Sequence, residues 1–271
     1  MKTILLPTDF SDEARNAALY AVEFFGSLSN YVLLHVSDVQ VNRLALKNIS
    51  EEIRVSTEKL LKEQVNDLID EVGNIEIHST VEIGEEATVI ADQAKLINAD
   101  CIVMGAKGKS AAENLLVGST TYDTIRRVKI PVIAVPKSAE HHELNKVVFA
   151  ADYKAINHNI SLEPMLELCQ ENEMELLILN VVDSSELVSM KEAIEAVKLD
   201  NYFSEVGHSF HYIEDSDIAN GINRFTEDQE AEMLVVLARE ESFFHRLSEA
   251  SVTRAVTLNA HLPILVLQDY E

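Results

Sequence analysis

Three of the chain's eight glycines fall at positions 105, 108 and 118, inside one 14-residue window. The string runs Met104-Gly105-Ala106-Lys107-Gly108, then nine residues from Lys109 to Val117, then Gly118-Ser119-Thr120. Gly105 closes a continuously apolar run, and Gly118-Ser119 opens a helical pattern. Backbone N–H groups at such a strand-to-helix junction point toward an anion with the helix dipole behind them. Glycine suits the place because the absent Cβ permits positive φ and close approach to a phosphate. Ser119 and Thr120 add hydroxyl donors. Taken singly, each residue has a plainer explanation: the glycines turn the chain, and Ser119 is an N-cap. Taken together, at the carboxyl end of a strand, they point to a phosphate site.

Other patterns carry less chemistry. Gly108-Lys109-Ser110 looks like the end of a Walker A loop, but that loop needs a glycine five positions earlier, where Val103 stands. The nine histidines show no metal-ligand spacing, and His141-His142 lie in a linker between acidic residues. His35, on an apolar run, reads as a satisfied core histidine. Cys101 and Cys169 are isolated thiols that suggest neither a disulfide framework nor a metal knuckle. The helical stretch 50–72 interleaves Glu51, Glu52, Glu58 and Glu63 with Arg54, Lys59 and Lys62, a solvated face.

The elements that must position the glycine loop repeat themselves. Ile130-Pro131-Val132-Ile133-Ala134-Val135 returns as Leu262-Pro263-Ile264-Leu265-Val266-Leu267 at an offset of 132. Asp100–Met104 lies over Glu232–Val236 at the same offset. Ile4–Asp9 matches Val147–Asp152 at 143, and Leu33–Val36 matches Ile178–Val181 at 145. The drop of 13 implies a shorter excursion between the second and third strands of the second copy. In the first copy, strands are expected at 3–7, 31–36, 75–82, 101–105 and 131–135. Helices are expected at 12–28, 50–72, 86–98 and 119–128. Strand–helix alternation with fully apolar runs predicts an α/β fold: two tandem open, mainly parallel five-stranded sheets with helices on both faces. The expected domains are 1–138 and 145–271, with a linker at 139–144.

At these residues the chain resembles the universal stress protein family, whose ATP-binding members carry Gly-x2-Gly-x9-Gly-Ser/Thr. Gly105, Gly108, Gly118 and Ser119 match that pattern at every spacing, and the resemblance covers both copies. It implies a Rossmann-like fold of the adenine nucleotide alpha hydrolase-like kind, with ATP and Mg as ligand. By the same resemblance, Asp9 contacts the ribose and metal-phosphate region, Pro7 and Thr8 line the adenine side, Val36 meets the base through its backbone, and Met104 stands at the entrance to the loop. The alternative role for Asp9 is capping the helix that begins near Ser11.

In the second copy the corresponding columns read Leu237, Glu240, Ala250 and Ser251. All three glycines are gone, and Glu240 places a carboxylate where phosphate would lie. Glu241 and Glu249 add negative charge that Arg239 and Arg246 only partly offset, and each close like-charge pair costs ~1 kcal/mol or more near a surface. Phe243-Phe244 offers to fill the vacated crevice, or is ordinary core. Residues 1–138 hold 14 basic against 20 acidic side chains, −6; residues 139–271 hold 8 against 26, −18. That balance argues against nucleic acid. No apolar run approaches the ~20 residues of a membrane span, so a cytoplasmic protein is expected. The functional expectation is a nucleotide-dependent stress-response sensor or adaptor, its second domain empty. Rival readings are a slow ATPase or phosphotransferase on the same site, and a nucleotide-independent, chaperone-like interaction protein. An adenylating enzyme would need a Ser-Gly-Gly-x-Asp-like loop where Pro7-Thr8-Asp9-Phe10-Ser11 stands. The last strands of the two copies, 132–135 and 264–267, are expected to pair as an intrachain pseudo-dimer, and a further homodimer is compatible with this.

Overall fold

The first apolar run, Thr3–Pro7 (β1), is a parallel strand whose last four residues are buried. It pairs on one side with Asn30–Ser37 (β2), from Thr3 opposite Asn30 to Pro7 opposite Leu34. On the other side it pairs with Cys101–Gly105 (β4), Ile4 opposite Cys101. Glu76–Ile83 (β3) lies beyond β2, and Val132–Val135 (β5) lies beyond β4. The order is therefore β3-β2-β1-β4-β5, all parallel. All of β4 and β5 is buried, whereas β3 alternates polar and apolar residues as an edge strand does. The computed structural model describes residues 1–37, 47–107, 118–140, 144–151, 162–182, 190–238 and 262–268.

Helices cover both faces. Asp12–Phe25 (α1) packs on β4 and against Lys47–Val72 (α2), while Glu86–Leu96 (α3) packs against Ser119–Arg127 (α4). The Ser11 hydroxyl caps α1 by accepting from the Ala14 N–H at 3.1 Å, with Asp12 and Glu13 in the first turn. Its buried stripe includes four alanines, 14, 17, 18 and 21, which let the helix sit close to the sheet. The helix stops at Gly26, where φ is +71° and the N–H returns to the Val22 carbonyl at 2.9 Å. The apolar pattern suggested residue 28; the glycine terminates it earlier.

A second compact unit repeats the arrangement. Its elements are Lys146–Ala150 (β6), Glu163–Glu171 (α5), Glu175–Val182 (β7), Met190–Tyr202 (α6), His208–Glu214 (β8), Ile218–Asp228 (α7), Met233–Ala238 (β9) and Ile264–Gln268 (β10). Strand order is β10-β9-β6-β7-β8, again parallel. The offsets read from sequence hold: 3–7 maps to 146–150 at 143, and 30–37 maps to 175–182 at 145. At 132, 101–105 maps into 233–238, and α3 maps onto α7. The missing thirteen residues are accounted for by one helix, since α2 has 26 residues and α6 has 13. Among the described residues no helix is long and apolar enough to cross a membrane.

Candidate nucleotide site of the first unit

The chain leaves β1 in a tightly bonded turn. The Thr8 N–H donates to the Leu34 carbonyl at 2.8 Å, carrying the ladder one residue past Pro7. Thr8 is 6% exposed; its hydroxyl donates to Gln64 Oε1 on α2 at 3.0 Å and accepts from the Phe10 N–H at 3.0 Å. Phe10 has a φ of +61°, a left-handed conformation rarely taken by a bulky residue and held here by that bond. Asp9 Oδ1 accepts from the Ser11 N–H at 2.9 Å, an Asx-type turn. The cap of α1 is therefore Ser11, and Asp9 braces the turn ahead of it. His35 Nδ1 lies 2.8 Å from the Thr8 carbonyl, so this nitrogen carries the proton, and the ring sits 4.5 Å from that of Phe10. Val36 follows on β2, 8% exposed, opposite Glu82 of β3.

β4 ends beside this turn. Met104 is buried and pairs with Ala134. A Cβ placed on Gly105 would stand 2.9 Å from the Lys107 carbonyl oxygen, 3.2 Å from the Glu13 carbonyl carbon and 3.3 Å from the Ala14 nitrogen. The glycine is thus needed because the Lys107 carbonyl first, and then the first turn of α1, crowd the place of a Cβ. Positive φ is not the reason: neither Gly105 nor Gly118 has it, and Gly118 sits at φ −64°. The Gly118 N–H donates to the Ala106 carbonyl at 2.8 Å, and the Thr121 hydroxyl donates to the Gly105 carbonyl at 2.9 Å. These two bonds fasten the start of α4 to the end of β4.

Gly118 is the N-cap of α4 and supplies no side-chain cap; Ser119 is the first helical residue and is exposed. The plainer reading of Ser119 as a cap is corrected accordingly. Both α1 and α3 begin at a side-chain cap, Ser11 and Glu85, whereas α4 begins at Gly118 with no side-chain cap on its first N–H groups. Glu85 accepts from Thr88 N at 2.9 Å and from the Thr88 hydroxyl, and Arg127 lies 3.8 Å away. The Thr88 bonds, more than Arg127, hold its carboxyl below the ordinary carboxylate value. The Thr120 hydroxyl donates to the Glu86 carboxylate of α3.

Asp9 thus follows the carboxyl end of β1, and Gly105 and the first turn of α4 stand at that of the neighbouring β4, where the strand order reverses. Ligands of open α/β sheets sit in that crevice. Val36 lies one strand further out, and Gly108 lies outside the described residues. Gln64, Thr121 and Glu86 were not singled out by sequence, because each acts through a partner distant along the chain. Among the described residues no three His, Cys, Asp or Glu side chains are grouped as a metal site. Magnesium carried on a nucleotide needs no such cage, since phosphate oxygens, waters and one or two carboxylates complete its shell.

At the described ends of β6 and β9 the second unit keeps one backbone bond of this corner and changes its side chains. Ala151 N–H donates to the Leu179 carbonyl at 2.9 Å, as Thr8 does to Leu34, but alanine brings no hydroxyl. Asn180 stands in the column of His35, and buried Leu237 stands in that of Gly105, where the first unit has no room for a Cβ. Asp152, Arg239, Glu240, Glu241, Phe243, Phe244, Arg246, Glu249, Ala250 and Ser251 lie outside the described residues.

Fold and corner together define an open, parallel-sheet α/β protein of the Rossmann-like class. The solved universal stress protein of Archaeoglobus fulgidus DSM 4304 superposes over 100% of this chain and 97% of its own, with a TM-score of 0.75 at 18% identity, which speaks to fold. A universal stress protein of Methanocaldococcus jannaschii is 32% identical over 142 residues, 50% of this chain and 82% of that protein. Universal stress protein G of Salmonella typhimurium is 27% identical over 142 residues, 49% of this chain and 98% of its own length. Residues 1–136 and 144–268 each match the universal stress protein family. The chain belongs to that family, as a tandem member.

Proposed function

We propose that the first domain, residues 1–138, binds ATP with Mg at the corner of β1, β4 and α4. The second domain, 145–271, does not bind it, and nucleotide occupancy sets the protein's choice of partner in a cytoplasmic stress response. The observation that carries this is the α4 N-terminus. It has no side-chain cap and is bonded to the end of β4, the strand next to β1, which Asp9 follows. The family pattern at Gly105, Gly108, Gly118 and Ser119 supports the same reading. In this arrangement the first-turn N–H groups and the Ser119 hydroxyl take phosphate, while Pro7, Thr8 and Val36 line the base. Met104 stands at the loop entrance and Asp9 faces the ribose side. Against the second domain stand Leu237 and Ala151, the lost glycines and the −18 charge of that half. Hydrolysis or phosphotransfer at the same site would need a residue to position a water or acceptor, for which Asp9 is the candidate; the site is read as a sensor.

Native mass spectrometry of the full chain with Mg-ATP tests this. One ATP per chain in the wild type, and none in Gly118→Glu, is expected. Two per chain would end the claim about the second domain. None would favour a nucleotide-independent interaction protein.

A further inference from the structure

Resting on the nucleotide reading above, we propose that Glu86 makes the α4 site select a cation-bound nucleotide over a bare polyphosphate. No acidic residue lies in the first turn of α4 itself. The structure brings one there from α3: the Glu86 carboxylate accepts the hydroxyl of Thr120, 34 residues away in sequence and second in the helix. A charge held on that hydroxyl stands within about one helical turn, roughly 5–8 Å, of the N–H groups a phosphate would take. The neighbouring arginine does not offset it. Arg127 reaches Glu85 and Asp123, each at 3.8 Å, and among the described residues Glu86 has no cationic partner.

The site therefore has two opposed fields. The helix terminus attracts an anion, and Glu86, on its rim, repels one. A phosphate close to the carboxylate loses on the order of tenfold in affinity per uncompensated charge at this range. The loss grows from a monophosphate to a triphosphate, which carries more charge to the rim. A divalent ion on the phosphates reverses the sign, because it brings positive charge beside the carboxylate and a bound water that the carboxylate can accept from. Thr120 is then a positioning residue that holds Glu86 in place, and its hydroxyl is not free for phosphate.

Calorimetric titration of the full chain with ATP, once in EDTA and once in excess Mg, separates these terms. Wild type should bind Mg-ATP at least about tenfold more tightly than ATP in EDTA. Glu86→Gln keeps an oxygen acceptor for Thr120 and should tighten binding in EDTA roughly tenfold, with less than about threefold change in Mg and a smaller change for AMP. Glu86→Ala should show the same selective gain, which guards against a folding defect peculiar to one variant. If both variants leave the EDTA affinity unchanged, or shift both conditions alike, the proposal is overturned while the nucleotide site stands. If wild type takes up no ATP under either condition, both readings fall together.

Discussion

Gly105 has a structural reason to be glycine before any ligand arrives. Its missing Cβ makes room for the Lys107 carbonyl and for the backbone of Glu13 and Ala14, which cannot move without displacing α1. Gly105→Ala should therefore cost about 1–3 kcal/mol of stability, as overpacking against backbone does, and a denaturant titration without nucleotide reads it directly. A variant as stable as wild type would mean that α1 yields more easily than its alanine-lined contact suggests. The buried thiols give a second residue-scale expectation. Burial pushes both Cys101 and Cys169 up to about 12 from 9.0, and Tyr31, whose hydroxyl donates to the Gly26 carbonyl at 2.7 Å, up to about 12 from 10.0. These groups stay neutral in the folded chain and ionise in the unfolded one, so unfolding releases protons. Their contribution is whole below pH 9 and is lost as pH rises toward 12. Each thiol then costs about 1.4 kcal/mol per pH unit, visible as unfolding midpoints that fall steadily through that window. A flat profile from pH 8 to pH 11 would contradict the burial.

At the scale of elements, β1 and β4 coincide with the apolar runs that announce them, and the offsets of 143, 145 and 132 locate every strand of the second unit. That much was legible because parallel strands covered on both faces are continuously apolar, and a helix shows its period over a few turns. Helix ends were less so. α1 stops at Gly26 although apolar residues continue the pattern, because a φ of +71° ends the hydrogen-bond ladder there. No atom lies within 4 Å of a Cβ added to Gly26, so Gly26→Ala meets only the cost of its backbone, whose φ of 71° with ψ of 174° is a region nearly confined to glycine. About 1–3 kcal/mol is expected in equilibrium unfolding, for Gly26→Asn as for Gly26→Ala; a neutral alanine would show that the cap had shifted. The corner itself was legible only in outline. Glycine spacing marked the loop, but the bonds that shape the corner join Thr8 to Gln64 and Thr120 to Glu86, 56 and 34 residues apart. Nothing periodic links such pairs. Glycine spacing points to phosphate through freedom of φ and close approach, and it does not show that a Cβ on Gly105 would meet the Lys107 carbonyl and the first turn of α1.

At the scale of the whole molecule, the two units share a strand order and differ in what they place at the crevice. The first has a hydroxyl at Thr8, a glycine at 105 and an open helix terminus; the second has Ala151 and Leu237 in the corresponding columns. Their charges diverge in the same sense, −6 against −18. A ligand that binds only one unit stabilises that unit by mass action, by about 2.7 kcal/mol at a hundredfold excess over the dissociation constant. Amide exchange slows in the segments whose opening would break the site. With saturating Mg-ATP, hydrogen–deuterium exchange should therefore slow across residues 8–15, 104–107 and 118–122, and leave 146–151 and 233–238 as they were. Residues 146–151 and 233–238 correspond by offset to 3–8 and 101–106, so the ends of β6 and β9 are the control for the ends of β1 and β4 within a single sample. Equal slowing in both would mean that the second unit binds nucleotide despite Leu237. Slowing confined to the second would place the site in the half that the charge and the missing glycines argue against.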